Sequence, residues 1–299
     1  MSEFRGTGVA VVTPFLDGQV DFDRLTDVLE HIISGGVDYI VSLGTTGEAV
    51  TLSPKEIRQV LDHTIKVVAG RKPIVAGNFG GNDTAALCRY INGFDFNGID
   101  AMLSSSPSYN KPSQEGIFQH YKAMAEASPV PIILYNVPGR TSSNISAETT
   151  VRIARTCPNV IGIKEASGDL VQSSEILRDR PEGFLVISGD DPTALGLIYT
   201  GGDGVISVIG NAFPHEWSSM IRNALGGEAD LANAEHNRLL SLHTHLYSEG
   251  NPAGIKAALN IRGLCQPEVR LPLTRMSDEG IKAMSDEIVK LTNIPSRAG

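Results

Sequence analysis

Short runs of apolar and β-branched residues recur along the chain, and each is followed by a segment with helical spacing of polar and apolar positions. The runs are apolar throughout instead of alternating, which is typical of parallel strands buried on both faces. Their ends follow one another at intervals of roughly 25–30 residues, the length of one strand, one helix and two loops. The eight runs are Gly8–Val12, Tyr39–Ser42, Pro73–Ala76, Ile99–Leu103, Pro131–Tyr135, Val160–Lys164, Leu185–Ser188 and Val205–Val208.

Eight strand-plus-helix units on one chain predict an α/β protein that forms a closed (β/α)8 TIM barrel. The competing architecture is an open, doubly wound sheet, which is expected to carry a glycine-rich nucleotide fingerprint. The segment Gly77-Asn78-Phe79-Gly80-Gly81 lacks the G-x-G-x-x-G spacing, so we interpret it as a turn. The pattern therefore favours the barrel.

The helix signals extend beyond the last strand. Ser53-Pro54-Lys55-Glu56 is a capping box with proline at the first helical position, and Ser146 is a further predicted helix start. After Val208 the chain continues to residue 299, far more than the ~15 residues that one closing helix needs. We therefore predict a catalytic barrel over residues 1–224 and a C-terminal helical bundle over 225–299. Its predicted helices are Glu228–Ser248, Pro252–Leu264 and Asp278–Thr292.

Composition narrows the classes of partner. The chain has 25 Lys and Arg against 34 Asp and Glu, a net charge of −9, which argues against nucleic acid or an anionic membrane surface. Small anionic substrates remain compatible with this charge, because one arginine in a pocket suffices to bind them.

The three cysteines, Cys88, Cys157 and Cys265, are too far apart in sequence for a disulfide framework or a zinc motif. The beginning of the chain lacks a signal pattern, and no run reaches the ~18 residues of a membrane span. We expect a cytoplasmic protein.

Active sites of TIM barrels form at the carboxyl ends of the strands, so reactive side chains at those positions are the first candidates. Lys164 ends the apolar run that begins at Val160. Apolar surroundings disfavour an ammonium and raise the fraction of neutral, nucleophilic amine, which is the form that attacks a carbonyl. A surface ion pair between Lys164 and the adjacent Glu165 is the alternative.

Tyr135 ends the preceding strand, and adjacent parallel strands bring its phenol near the Lys164 amine. A phenol both donates and accepts a proton, as imine formation requires. The alternative for Tyr135 is a core tyrosine with a satisfied hydroxyl group.

Polar loops follow three of the predicted strands. Thr45 and Thr46 lie between glycines and have the hydroxyls to bind a small carboxylate, although a simple strand-to-helix turn explains them as well. Tyr109 follows the fourth strand. Arg140 comes just after Tyr135 and is suited to bidentate binding of a carboxylate, whereas an exposed turn arginine is the default interpretation.

No motif favours a metal site. His243 and His245 are two residues apart and point to different sides of a helix. Asp190 and Asp191 follow the seventh strand, and with no third ligand in view we interpret them as helix N-terminal caps ahead of Pro192.

Four motifs in this pattern are similar to those of a known family. Essentially the whole chain resembles the dihydrodipicolinate synthase branch of the pyruvate-dependent class I aldolases, the family that includes N-acetylneuraminate lyase. The motifs are Gly44-Thr45-Thr46-Gly47-Glu48, Tyr135-Asn136-Val137-Pro138, Gly162-Ile163-Lys164-Glu165-Ala166 and Ser188-Gly189-Asp190-Asp191. The resemblance implies a lyase of lysine and diaminopimelate biosynthesis in which Lys164 forms a Schiff base with pyruvate.

The resemblance also implies roles for other residues. Thr45, Tyr135 and Tyr109 form a proton relay, with Tyr109 lent to a neighbouring subunit across a tight dimer of a homotetramer. Thr46 and the Ile206 backbone hold the pyruvate carboxylate, and Gly189 lines the pocket. Arg140 holds the carboxylate of the second substrate, aspartate semialdehyde. The resemblance implies no organic cofactor and no metal, because the imine itself acts as the electron sink.

Two alternatives to this reading stay open. Within the family, a 2-keto-3-deoxy-sugar-acid or sialic acid aldolase differs in the aldehyde it accepts. A barrel retained only for binding or structure is expected to lose the lysine, and Lys164 is present. The segment Asn251-Pro252-Ala253-Gly254 departs from the family pattern, in which Ile-Pro commonly follows Asn-Pro, and we expect this departure to affect packing only.

Members of the family that are inhibited by L-lysine bind it in a cleft beside the tyrosine that corresponds to Tyr109. Of the positions that correspond to this cleft, only Asn82 keeps the residue of the lysine-sensitive relatives. The others carry no acidic group to pair with an ammonium of L-lysine; they are Ala49, Pro54, Ile57, Ala86 and Ser108. We therefore expect an enzyme that L-lysine does not inhibit.

Overall fold

The computed structural model describes residues 3–293, with side chains described for residues 3–291. Eight parallel strands close into a barrel in the order β1-β10-β9-β8-β7-β6-β5-β4, and a two-stranded antiparallel hairpin, β2-β3, lies outside it. The strands are β1 Gly6–Ala10, β2 Phe15–Leu16, β3 Gln19–Val20, β4 Tyr39–Ser42, β5 Ile74–Ala76, β6 Ala101–Ser105, β7 Ile132–Asn136, β8 Val160–Glu165, β9 Leu185–Ser188 and β10 Gly204–Ser207. The predicted TIM barrel is confirmed.

Helices follow the barrel strands and continue beyond them. Two short 3-10 helices, Ala49–Thr51 and Ile209–Asn211, lie in the loops after β4 and β10. The α-helices are α1 Phe22–Ser34, α2 Pro54–Val68, α3 Thr84–Gly93, α4 Gln114–Ala127, α5 Pro138–Thr141, α6 Ala147–Thr156, α7 Leu170–Asp179, α8 Ala194–Tyr199, α9 Pro214–Gly226, α10 Ala229–Ser248, α11 Ala253–Ile261 and α12 Asp278–Asn293.

Local sequence signals explain where several helices begin. The Ser53 hydroxyl accepts from the Glu56 N–H while the Glu56 carboxylate accepts from the Ser53 N–H, so the predicted capping box is present at the start of α2. Ser146 caps α6 by accepting from the Thr149 N–H. These side chains satisfy backbone donors that the first turn of a helix leaves free.

All eight predicted strands are present, but two are displaced along the chain. β1 lies at residues 6–10 instead of 8–12, and β6 lies at residues 101–105 instead of 99–103. Ser104 and Ser105 belong to β6 because their backbones pair with Leu134 and Tyr135 of β7. A search for apolar runs stops at polar residues, whereas strand pairing depends on the backbone.

The hairpin formed by β2 and β3 was not predicted. Asp17 and Gly18 form its turn with positive φ angles of 50° and 77°, the conformation that an Asp-Gly turn favours. The Asp-Gly pair was therefore the available signal, but strands of two residues are too short to show a period.

The C-terminal extension, defined here as residues 227–293, contains α10, α11 and α12, close to their predicted bounds. A Cβ on Gly254 of α11 would collide with the Leu246 carbonyl oxygen of α10, so glycine allows these helices to pack closely. The domain boundary between residues 224 and 225 stays a prediction, and it falls in the last turn of α9. Across residues 3–293, every helix is too short or too polar to cross a membrane.

Candidate active site

Lys164 and Tyr135 lie side by side at the carboxyl ends of two neighbouring strands. Parallel pairing of β7 with β8 places them in register. The Lys164 Nζ lies 4.4 Å from the centre of the Tyr135 ring, and Lys164 is 5% exposed. The structure therefore brings together the amine and the phenol that the strand pattern singled out.

The alternative in which Lys164 pairs with Glu165 is wrong. Successive side chains of a strand point to opposite sides, and the Glu165 carboxylate accepts hydrogen bonds from Asn136 Nδ2 at 2.9 and 3.1 Å and from Gln172 Nε2 at 2.9 Å. Glu165 also accepts from the Ser167 N–H at 2.8 Å. Among residues 3–291, no carboxylate forms an ion pair with Lys164.

Gly189 lies directly after β9 and against the Lys164 side chain. A Cβ built on Gly189 would lie 2.9 Å from both Cε and Cγ of Lys164 and 2.6 Å from the Ala166 Cβ. These contacts are too close for carbon atoms, so any larger residue would displace the lysine. The glycine leaves Lys164 its position in the barrel mouth.

The turn from Gly44 to Glu48 follows β4 and carries the two predicted threonines. Thr46 is buried, and its Oγ1 accepts a hydrogen bond from Asn251 Nδ2 at 3.0 Å. Thr45 is half-buried. A Cβ on Gly77 would lie 2.8 Å from the Gly44 Cα, so the glycine at position 77 lets its loop approach the turn closely.

Ile206 is buried in β10, and the loop that follows it is held by an aspartate. The Asp191 Oδ2 accepts from the backbone N–H groups of Val208 and Ile209 at 2.9 and 2.8 Å. The hydroxyl of Tyr247, from α10, donates to the same oxygen at 3.3 Å. Burial and the nearby Asp191 carboxylate raise the pKa of Tyr247 far above its usual range, which keeps the phenol protonated.

The structure corrects the sequence interpretation of Asp190 and Asp191. Asp190 does bond the start of its own helix, because its Oδ2 accepts from the Thr193 hydroxyl at 2.7 Å. Asp191 instead binds the loop after β10, 17 and 18 positions along the chain. A helix-cap signal, which spans only a few residues, cannot reveal such a partner.

Tyr109 and Arg140 lie on the rim, away from the buried pair. Tyr109 is 90% exposed and has a φ of 68°, and its backbone N–H donates to the Thr141 carbonyl at 3.0 Å. Asn82 holds the same loop, donating to the Ser108 carbonyl and accepting from the Ser108 N–H. Arg140 is exposed in α5. In the single chain both of these side chains are exposed, whereas Lys164 is buried.

The two histidines considered as metal ligands lie in different environments. His243 is buried and packs edge-on against the Trp217 ring, 5.6 Å between centres, and burial lowers its pKa. His245 is only half-buried. Among residues 3–293, His, Cys, Asp and Glu side chains form no group of three positioned to hold a metal ion.

Sequence reasoning missed the contribution of the C-terminal extension to the site. Lys256 Nζ lies 2.5 Å from a Glu48 carboxylate oxygen, and both residues are buried. The Arg270 N–H donates to the other Glu48 oxygen at 3.0 Å. Glu48 belongs to a motif that was recognised, but its partners lie more than 200 positions away and no local signal points to them.

A TIM barrel that buries a lysine and a phenol at adjacent strand ends has the arrangement of a Schiff-base lyase. The profile of the dihydrodipicolinate synthetase family matches residues 3–291. The chain belongs to that family.

Solved and curated relatives agree with this assignment. The chain is 48% identical over 293 residues to the 4-hydroxy-tetrahydrodipicolinate synthase of Cytophaga hutchinsonii, covering 98% of both chains. It is 41% identical, with a TM-score of 0.93, to the dihydrodipicolinate synthase of Acinetobacter baumannii solved with pyruvate, covering 97% of this chain and 99% of that one. A monomeric dihydrodipicolinate synthase variant is 35% identical with a TM-score of 0.94, and 98% of each chain is covered.

Proposed function

We propose that this chain catalyses the aldol condensation of pyruvate with L-aspartate 4-semialdehyde to give 4-hydroxy-tetrahydrodipicolinate, a step of lysine and diaminopimelate biosynthesis. The observation that carries the proposal is the buried Lys164 amine over the Tyr135 ring, without a carboxylate partner among the described residues. Covalent catalysis of this kind uses a lysine amine as the nucleophile toward a carbonyl substrate, and here no carboxylate of residues 3–291 occupies that amine.

The reaction begins with attack of the neutral Lys164 amine on the pyruvate ketone. The carbinolamine loses water to give an imine, and Tyr135 transfers the protons. In the proposed relay, Thr45 and Tyr109 connect Tyr135 to solvent. The protonated imine then acidifies the pyruvate methyl group, and loss of a proton gives an enamine.

The enamine carbon attacks the aldehyde of aspartate semialdehyde and forms the new carbon–carbon bond. The amine of that substrate next adds to the imine carbon, closes the ring and releases Lys164. In this proposal Thr46 and the Ile206 backbone bind the pyruvate carboxylate, Gly189 lines the pocket, and Arg140 binds the carboxylate of the aldehyde.

Exposure of Tyr109 supports a subunit arrangement in which two chains complete each site. We propose tight dimers that pair into a homotetramer, with each Tyr109 serving the neighbouring chain. Mixed dimers of Tyr109→Phe and Lys164→Ala subunits are then expected to recover activity, because one site keeps both residues. If refolded mixtures of the two variants show no recovery of activity, the proposal of sites shared between subunits is contradicted.

A cytoplasmic location is part of the same proposal. Cys88, Cys157 and Cys265 are free thiols, as is usual for proteins in a reducing compartment. Fractionation of cells that produce the protein would test it.

A coupled assay with pyruvate and aspartate semialdehyde tests the reaction directly. A panel of sugar-acid and sialic acid precursors in place of the semialdehyde tests the alternative aldolases. Faster turnover of pyruvate with one of those aldehydes would overturn the assignment of the second substrate.

A further inference from the structure

We propose that Asn251, from the C-terminal extension, is a positioning residue that directs the Thr46 hydroxyl proton toward the pyruvate carboxylate. The inference rests on the proposed function, in which Thr46 binds that carboxylate. It assigns a part of substrate binding to a segment whose sequence indicated a packing role alone.

The hydrogen bond between the two side chains has a direction. The Asn251 Nδ2 donates to the Thr46 Oγ1 at 3.0 Å. A hydroxyl group has one proton and can accept through its remaining lone pairs. Since the oxygen accepts from the amide, the Thr46 proton points elsewhere, and no described residue accepts it. A buried hydroxyl arranged in this way is ready to donate to an anion.

Asn251 is held in place by a second contact between the same two segments. Five residues further along, Lys256 binds the Glu48 carboxylate at 2.5 Å, and Glu48 lies two residues after Thr46. The Lys256 Nζ also donates to the Glu268 carbonyl at 2.8 Å. The extension therefore contacts the Thr46 turn at two points, through the Asn251 hydrogen bond and through the buried, charge-assisted bond of Lys256.

Replacing the amide changes the direction of this hydrogen bond in a predictable way. In Asn251→Asp the carboxylate can only accept a hydrogen bond, so the Thr46 hydroxyl donates to it instead of to the substrate. The variant also places a negative charge near the substrate carboxylate. In Asn251→Ala the hydroxyl loses its partner but can still rotate toward the substrate. The aspartate variant is therefore expected to be the more damaging of the two, although it preserves the side-chain size.

The experiment measures both half-reactions of these variants. We expect Asn251→Asp to lower kcat/KM for pyruvate by about tenfold or more and Asn251→Ala by about threefold. Under the same conditions kcat/KM for aspartate semialdehyde is expected to change by less than about twofold. In a Thr46→Val background, Asn251→Asp is expected to cause no further loss, because the hydroxyl that it redirects is gone.

Asn260 provides a matched control in α11, the helix that begins two residues after Asn251. Its Nδ2 donates to the Cys265 carbonyl at 3.0 Å, within the extension. Asn260→Asp and Asn260→Ala are expected to lower the Tm without changing the pyruvate dependence. If the Asn251 variants behave like the Asn260 variants, or if Asn251→Asp binds pyruvate as well as Asn251→Ala, the inference is overturned.

The two levels of the proposal fail in different ways. Absence of a borohydride-trapped pyruvyl adduct on Lys164 in the unmodified protein would reject the proposed function and this inference with it. A normal adduct and normal turnover, combined with unchanged pyruvate dependence in both Asn251 variants, would reject the inference alone.

Discussion

Two lysines are buried among residues 3–291, and the Nζ of each lies over an aromatic ring. The Lys164 Nζ is 4.4 Å from the centre of the Tyr135 ring, and the Lys256 Nζ is 4.1 Å from the centre of the Phe15 ring. The two lysines differ in whether a carboxylate binds the amine. Lys256 binds the Glu48 carboxylate, whereas Lys164 has no ion-pair partner in the described part of the chain.

This difference separates a structural lysine from a reactive one. Burial lowers the pKa of Lys256, and the Glu48 carboxylate opposes that shift. The 2.5 Å contact with Glu48 occupies the Lys256 amine. An amine that is bound to a buried carboxylate fixes the segment that carries it and is not available to attack a carbonyl. Burial alone is therefore no sign of a nucleophile, and the absence of a carboxylate partner is the more informative feature.

The largest expected effect comes from removing the proposed nucleophile. Lys164→Ala should lower kcat/KM by about 10⁴-fold or more, because covalent catalysis is lost. Borohydride reduction with pyruvate, followed by peptide mapping, should find the adduct on Lys164 and none on Lys256. An adduct on Lys256, or on another lysine, would contradict the distinction between the two.

Removing the structural lysine should affect folding instead. Lys256→Met leaves the buried Glu48 carboxylate unpaired, which is expected to cost about 3–5 kcal/mol in the free energy of unfolding. Urea denaturation measures this loss. The double variant Lys256→Met with Glu48→Gln removes both charges and should recover part of it, and a loss below about 1 kcal/mol in the single variant would contradict a structural ion pair.

Arg140 is exposed, and in the proposed function its partner is the substrate carboxylate. Arg140→Ala should reduce turnover of aspartate semialdehyde about 30- to 1000-fold, since a charged bidentate contact is worth ~2–4 kcal/mol. Trapping of pyruvate on Lys164 should stay nearly normal. Arg24→Ala, which removes an exposed arginine paired with Asp27, serves as the control. Near-normal efficiency of Arg140→Ala would point to a different aldol acceptor.

His120 is a buried histidine, and its burial predicts that the free energy of unfolding depends on pH. Its Nδ1 lies 2.8 Å from the Thr84 hydroxyl, and burial lowers the pKa of His120 from 6.5 to about 4. The unfolded chain therefore binds more protons between these values. The neutral, buried His120 therefore contributes to the free energy of unfolding above about pH 6.5. We expect about 1–3 kcal/mol of this contribution to be lost as the pH falls toward 4.

Urea denaturation between these pH values, compared with His120→Gln, measures the effect. The variant should show a flatter dependence of the free energy of unfolding on pH. Equal slopes in the two proteins would show that His120 is not the group responsible.

The smallest expected effect is that of free L-lysine, which would need carboxylate partners as Lys256 does. The positions compared with lysine-sensitive relatives carry none, and the Asn82 carboxamide already bonds the Ser108 backbone in both directions. Each missing charge-assisted contact is worth ~1.5–3 kcal/mol. Initial rates at subsaturating pyruvate should stay constant up to millimolar L-lysine, and partial inhibition below about one millimolar would contradict this.

The sequence by itself determined the barrel and the central pair of the site. Uniformly apolar runs identify strands buried on both faces, and consecutive parallel strands pair side by side, so Tyr135 and Lys164 had to be neighbours. Ser53 and Ser146 were equally readable, because a helix cap involves residues only a few positions apart. In each case the physical cause is local, or it follows from the order of the strands.

Only the tertiary structure decided which segments complete the site from a distance. The partners Thr46 and Asn251, Glu48 and Lys256 lie about two hundred positions apart, and Asp191 binds a loop that follows another strand. The direction in which a polar side chain points depends on how the C-terminal helices pack over the barrel mouth. No periodicity encodes that packing, because it is set by shape complementarity between whole helices, such as the contact of Gly254 with the Leu246 carbonyl.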